Sequence, residues 1–159
     1  KYGGGVLYEL SHELEYMKTF FGEYKSFVTL KDGRKMFNSN VEENKNIIFK
    51  MKKNFNLLMT LSFNSHENLR YCKVHTKKFC LVLDWNRGKV KILNFKSKRE
   101  KIIFKSSSLN LGFERLYNQD KFFLNYMSNK KAKINHNSFK NSIDILQTIK
   151  KIYSKSSLK

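Results

Sequence analysis

The sequence predicts an α+β fold built from two similar units, each a set of antiparallel strands followed by one amphipathic helix. Three observations carry that prediction. Short segments of alternating polarity recur, separated by polar turns, as half-buried strands require. Two longer stretches change to helical period, each with a capping residue before it and lysines late in it. The order also repeats: "FVTLKDGRKMFNSNVEENKNIIFKMKKNF" and "FFLNYMSNKKAKINHNSFKNSIDILQTIKKIY" both read as strand, polar turn, Lys-rich strand and capped helix. Neither unit can cover both its sheet face and its helix stripe alone, so the two are expected to pack sheet to sheet.

Taken in order, Val6–Tyr8, Tyr24–Leu30 and Arg34–Phe37 read as strands, with Lys31–Gly33 as the hairpin turn between the last two. Asn40–Met59 reads as a helix, since Ile47, Ile48, Met51, Phe55, Leu58 and Met59 share one face. Ser39 or Asn40 would cap it, and Glu42 and Glu43 would suit its first turn. After a polar connector, Lys78–Asp84 and Lys89–Phe95 flank the turn "WNRG", closed by Gly88. Lys101–Lys105, Leu109–Arg115, Lys121–Met127 and Ala132–Ile134 read as further strands. Asn137 or Ser138 caps a final helix whose apolar stripe is Phe139, Ile143, Leu146, Ile149, Ile152 and Tyr153. The expected domains are a first unit at 1–61, a connector at 62–76 and a second unit at 77–156.

The charge points to anionic partners. There are 32 basic against 13 acidic residues, a formal net charge of +19. The many Lys, Asn, Ile, Phe and Tyr, with no Pro, also have the look of A/T-rich coding, which would place part of the Lys excess on a solvated surface. Cys72 and Cys80 make no metal framework and no disulfide scaffold, and His12, His66, His75 and His136 are scattered, so no metal and no cofactor is expected. No apolar run reaches membrane-spanning length. With no initiator Met and no signal pattern at Lys1, the chain reads as an intracellular, soluble fragment or processed piece.

Several segments together resemble the polo-box domain, the tandem C-terminal module of polo-like protein kinases. They are "KYG" (Lys1–Gly3), "GVLYELS" (Gly5–Ser11), the "KDG" turn, "NIIFKMKKNFNLL" (Asn46–Leu58), "LRYCKVHTKKFCLVL" (Leu69–Leu83) and "GKVKILNFKSKREKIIF" (Gly88–Phe104). The resemblance implies two tandem polo boxes, the first shortened, that bind phosphoserine or phosphothreonine peptides in a groove between them. It implies Ser/Thr-phosphorylated proteins as partners, a kinase domain upstream in the same chain, and a location in nucleus, cytoplasm or at the centrosome and spindle pole.

In that family a His and a Lys two residues apart grip the phosphate. With one residue inserted near Leu93, Asn94 and Phe95 match the family's Asn-Phe, Arg99 takes the His position and Lys101 the Lys position. Without the insertion Lys98 and Glu100 take them. A guanidinium and an ammonium on one side of an extended segment suit a phosphate dianion. Phe55 falls on a groove-edge Tyr of the family, and Thr60 and Leu61 on two consecutive Leu. The family's groove Trp precedes "KYG", and Trp85 does not substitute for it. No kinase motif is present, so the chain is expected to be a non-catalytic targeting part. The rival expectation is a basic nucleic-acid-binding protein of ribosomal type.

Overall fold

The structure is a computed structural model, and it describes residues 4–30, 41–106, 111–128 and 139–156. It is α+β with two antiparallel sheets, one of three strands and one of four. Contacts gather the chain into two units, 1–64 with 133–159, and 65–132. The expected boundaries at 61 and 77 compare with a second unit that begins at 65 and a final helix that returns to the first.

The first unit opens with α1 (Val6–Glu9) and α2 (Ser11–Phe21). Val6, Leu7, Leu14 and Met17 bury one stripe of these helices. The sheet is β1 (Tyr24–Thr29), β2 (Asn44–Met51) and β3 (Asn56–Ser62), paired in that order. Burial along β2 has period two: Lys45, Ile47, Phe49 and Met51 are buried while Ile48 and Lys50 are exposed. Phe27, Met59 and Leu61 join the same layer, and α4 (Phe139–Ser156) covers it with Ile145, Ile149 and Ile152. Each such side chain, fully buried, contributes about 1.5–3 kcal/mol. On the opposite face the cross-strand row Val28–Ile48–Leu58 is exposed.

The second unit is a meander of β4 (Tyr71–His75), β5 (Phe79–Asp84), β6 (Lys89–Asn94) and β7 (Glu100–Lys105), followed by α3 (Leu111–Ser128). Side chains set its turns. Thr76 Oγ1 accepts from the N–H groups of Lys78 (3.2 Å) and Phe79 (3.1 Å). Asp84 Oδ1 accepts from Arg87 N–H at 3.0 Å, and Gly88 takes φ +55°, the left-handed conformation that closes "WNRG". Asn94 Oδ1 accepts from the N–H groups of Lys96 (3.0 Å) and Ser97 (3.1 Å) in the last turn.

Four expectations need correction. Val6–Tyr8 is helical, and the predicted helix over 40–59 is the β2–β3 hairpin. Its apolar residues fit helical spacing, but the odd-numbered set from 45 to 51 fits a strand equally, and pairing with β1 and β3 decides between them. The expected strands at Leu109–Arg115 and Lys121–Met127 fall, over their described residues, within the single helix α3. On α4, Ile143 and Leu146 are exposed, and the buried face is Ile145, Thr148, Ile149 and Ile152. The pattern of one sheet followed by one helix, repeated, is therefore absent from the described residues. The predicted elements at Lys31–Gly33, Arg34–Phe37 and Ala132–Ile134, the caps at Ser39, Asn40, Asn137 and Ser138, and the "KYG" of Lys1–Gly3 lie outside the described residues.

Candidate active site

The entry to the first unit is shaped by Glu42. Gly5 adopts φ +99° and ψ 149°, a conformation open in practice only to glycine. A Cβ there would run into the Glu42 carboxylate, 2.6 Å from its Cδ. That carboxylate accepts from Leu7 N–H at 3.2 Å and from the Tyr153 hydroxyl, while the Glu42 backbone carbonyl accepts from Val6 N–H at 3.0 Å. The chain supplies its own anion at the start of α1.

One turn further on, α2 buries Leu14 and Met17 and so turns His12 and Tyr16 toward solvent on a neighbouring face. The His12 side chain is 39% exposed, and its Nε2 lies 3.3 Å from Glu13 Oε1. Its ring meets the Tyr16 ring edge-on at 6.1 Å, and Tyr16 stacks on Phe20 at 6.0 Å. The ring carries two nitrogens, either of which can accept a proton when the imidazole is neutral. An imidazole so exposed can serve as a general acid or base.

No motif marks His12 in the sequence. The signal was present as apolar residues at 7, 10, 14, 17 and 21, helical spacing that places His12 on the polar side of an amphipathic helix.

The residues expected to grip phosphate lie elsewhere. Asn94, Phe95, Lys98, Arg99 and Lys101 belong to the β6–β7 hairpin of the second unit. Asn94 is engaged in its own turn, donating its N–H to Arg99 O at 3.0 Å as well as accepting from Lys96 and Ser97. Lys98 stands at φ +54°. Lys101 is in β7 opposite Ile92, whereas Arg99 lies in the loop before the strand begins. Asn94 and Phe95 line a shallow basic concavity of about 700 Å³ with Lys77, Lys78 and Lys96. Phe55, Thr60 and Leu61 belong to the first unit. Phe55 packs edge-on against Phe21 (6.0 Å), Thr60 donates to Asn46 Oδ1 (2.8 Å) on the open face, and Leu61 is buried in the core.

No family model matches the sequence, and no curated protein matches it. Solved structures do share the fold. Levoglucosan dehydrogenase in complex with NADH matches 98% of this chain over 49% of its own, at 11% identity and TM-score 0.78. The UDP-N-acetylglucosamine 3-dehydrogenase of Acidithiobacillus ferrooxidans matches 92% of this chain over 45% of its own, at 11% identity and TM-score 0.72. Biliverdin reductase of Synechocystis, in complex with biliverdin and NADP+, matches 95% over 46%, at 13% identity and TM-score 0.65. The chain spans about half the length of these structures.

The fold is thus one found in NAD(P)-dependent oxidoreductases, and the polo-box reading is overturned. With it fall the phosphopeptide-binding role, the Ser/Thr-phosphorylated partners, the kinase domain in cis and the assignment as a non-catalytic kinase part. The nucleic-acid alternative finds no support in these neighbours either.

A dinucleotide is ordinarily held at the carboxyl end of a parallel sheet, its pyrophosphate on a glycine-rich helix start. Among the described residues every strand pairing is antiparallel. The Gly4–Gly5 helix start is already filled by the Glu42 carboxylate, which would repel a pyrophosphate. The described residues of this chain do not fit the pyrophosphate of NAD(P). Among them, no group of three or more His, Cys, Asp or Glu could hold a metal ion, and no helix is long and apolar enough to cross a membrane.

Proposed function

We propose that this chain is the antiparallel, substrate-side half of an NAD(P)-dependent oxidoreductase, and that the dinucleotide is held by another part of the protein. The observation that carries this reading is the match of almost the whole chain to about half of dehydrogenases that bind NADH, with antiparallel pairing throughout its described strands. The nicotinamide supplies hydride chemistry when bound, and the remaining task is a proton. Oxidising an alcohol releases one from the hydroxyl, and the His12 imidazole accepts it, with the Glu13 carboxylate 3.3 Å from its Nε2. Tyr16 and the exposed face of α2 shield the imidazole on one side.

The test is a binding measurement on this chain by itself, read from the fluorescence of reduced nicotinamide. The expected result is no saturable binding of NADH or NADPH by residues 1–159 alone. Saturable binding by the isolated chain would place the dinucleotide site here and overturn the division of labour.

A further inference from the structure

The second unit contains a cavity of about 280 Å³ where the "WNRG" turn meets the end of β7 and the first turns of α3. Its walls include Trp85 and Phe104, and its polar groups include Asp84, Lys89, Glu114 and Asn118. In a chain of formal charge +19, these four side chains carry two carboxylates against one ammonium, and Arg87 Nη1 lies 3.8 Å from Asp84 Oδ2, so the lining is close to neutral. A lining near neutrality favours an uncharged ligand over an anion. The polar groups are also held in place. Asp84 is fixed by Arg87 N–H at 3.0 Å, Glu114 Oε2 accepts from Ser106 Oγ at 3.1 Å, and Arg70 lies 5.9 Å from the centroid of the Trp85 ring. Phe104 is 58% exposed, so its ring is open to a ligand.

We propose that this cavity binds a neutral saccharide or cyclic polyol. The electron-rich face of an indole or phenyl ring attracts the polarised C–H face of a sugar. Carboxylates accept hydrogen bonds from hydroxyls, an ammonium donates to them, and an Asn side chain does both. A few polar groups converging beside aromatic walls is the usual form of a small-ligand site, and the volume is near the lower end for such pockets. The cavity is lined by residues of the second unit alone, and the proposal stands whether or not the oxidoreductase reading does.

Trp85 is the only tryptophan in the chain, so its emission reports on this cavity alone. The probe is glucose, titrated into the intact protein, with ethylene glycol at matched hydroxyl concentration as the control. The expected result is a saturable change in Trp85 emission with glucose and none with ethylene glycol. Amide shifts at Gly88 and Ser106 should titrate with the same midpoint. Asp84→Asn keeps an acceptor for Arg87 N–H, and Glu114→Gln keeps one for Ser106. Each should weaken glucose binding about tenfold, a factor worth about 1.4 kcal/mol, with an unchanged melting temperature. A response that does not saturate, that both substitutions leave intact, or that inorganic phosphate reproduces at lower concentration, would overturn the proposal.

Discussion

Tyr153, near the end of α4, donates its hydroxyl hydrogen to the carboxylate of Glu42, 111 positions earlier in the chain. The same oxygen accepts Leu7 N–H, so one carboxylate ties the first helix, the approach to β2 and the last helix together. Tyr153→Phe keeps the ring stacked on Tyr8 at 5.6 Å and removes only the hydroxyl. It should cost about 1.5–3 kcal/mol in denaturant melts, the range for a hydrogen bond to a charged group. A loss below about half a kcal/mol would show that the contact contributes little.

Gly5→Ala should be more damaging than an ordinary glycine substitution. The new Cβ meets the Glu42 carboxylate in a backbone conformation that alanine avoids. Strain of this kind costs of order 1–3 kcal/mol before the clash is counted. Gly22→Ala is the comparison, because φ there is also positive (+86°) but nothing lies within 4 Å of its Cβ position. Gly5→Ala should lower the melting temperature further than Gly22→Ala, and equal losses would remove Glu42 from the explanation.

On α4, Ile149→Ala should cost about 2–5 kcal/mol, since Ile149 is completely buried. Leu146→Ala should cost no more than about 0.5 kcal/mol, because Leu146 is 47% exposed. The stripe read from the sequence puts Leu146 on the buried face, so this pair of melts separates the two helix orientations.

Lys18 joins α2 to α4 through Asp144 (3.2 Å) and also reaches Glu23 (3.2 Å). Burial alone would lower its amine pKa, but the hydrogen bonds and charges of Asp144 and Glu23 outweigh burial and raise it. A pKa raised on folding means that the folded state binds this proton more tightly. Its contribution is therefore complete below the unfolded value of about 10.4 and is lost as pH rises through the higher folded value. Lys18→Met should flatten that alkaline loss in melts taken from neutral to strongly alkaline pH. An unchanged alkaline profile would remove Lys18 as its source.

Parts of this fold were legible because local chemistry decided them. Gly88 closes the β5–β6 turn in a left-handed conformation, and lysines late in α4 accompany its predicted position. The β2–β3 hairpin was hidden because its left-handed position is Asn54 (φ +63°) within "KKNF", with no glycine or proline to mark the break. Without that mark, Ile47, Ile48, Met51, Phe55, Leu58 and Met59 pass for one helical face, and only the pairing of Ile48 with Val28 and Leu58 shows otherwise. The run Phe122–Phe123–Leu124 passes for a strand for the same reason: apolar clusters carry no period of their own. His12 went unread because its helix was missed, and a lone histidine has meaning only when Glu13 and Tyr16 are placed around it.

The central claim is tested most directly by hydride transfer in a protein that joins this chain to a dinucleotide-binding domain, followed by the absorbance of reduced nicotinamide across a panel of sugars and polyols. The account predicts that one or more of these alcohols reduces NAD+ or NADP+. It further predicts that His12→Asn lowers kcat by about 10²–10⁴-fold, the usual contribution of a positioned acid or base, with dinucleotide affinity and melting temperature unchanged. Full activity in His12→Asn, or no nicotinamide-dependent turnover with any alcohol or carbonyl partner, would contradict it.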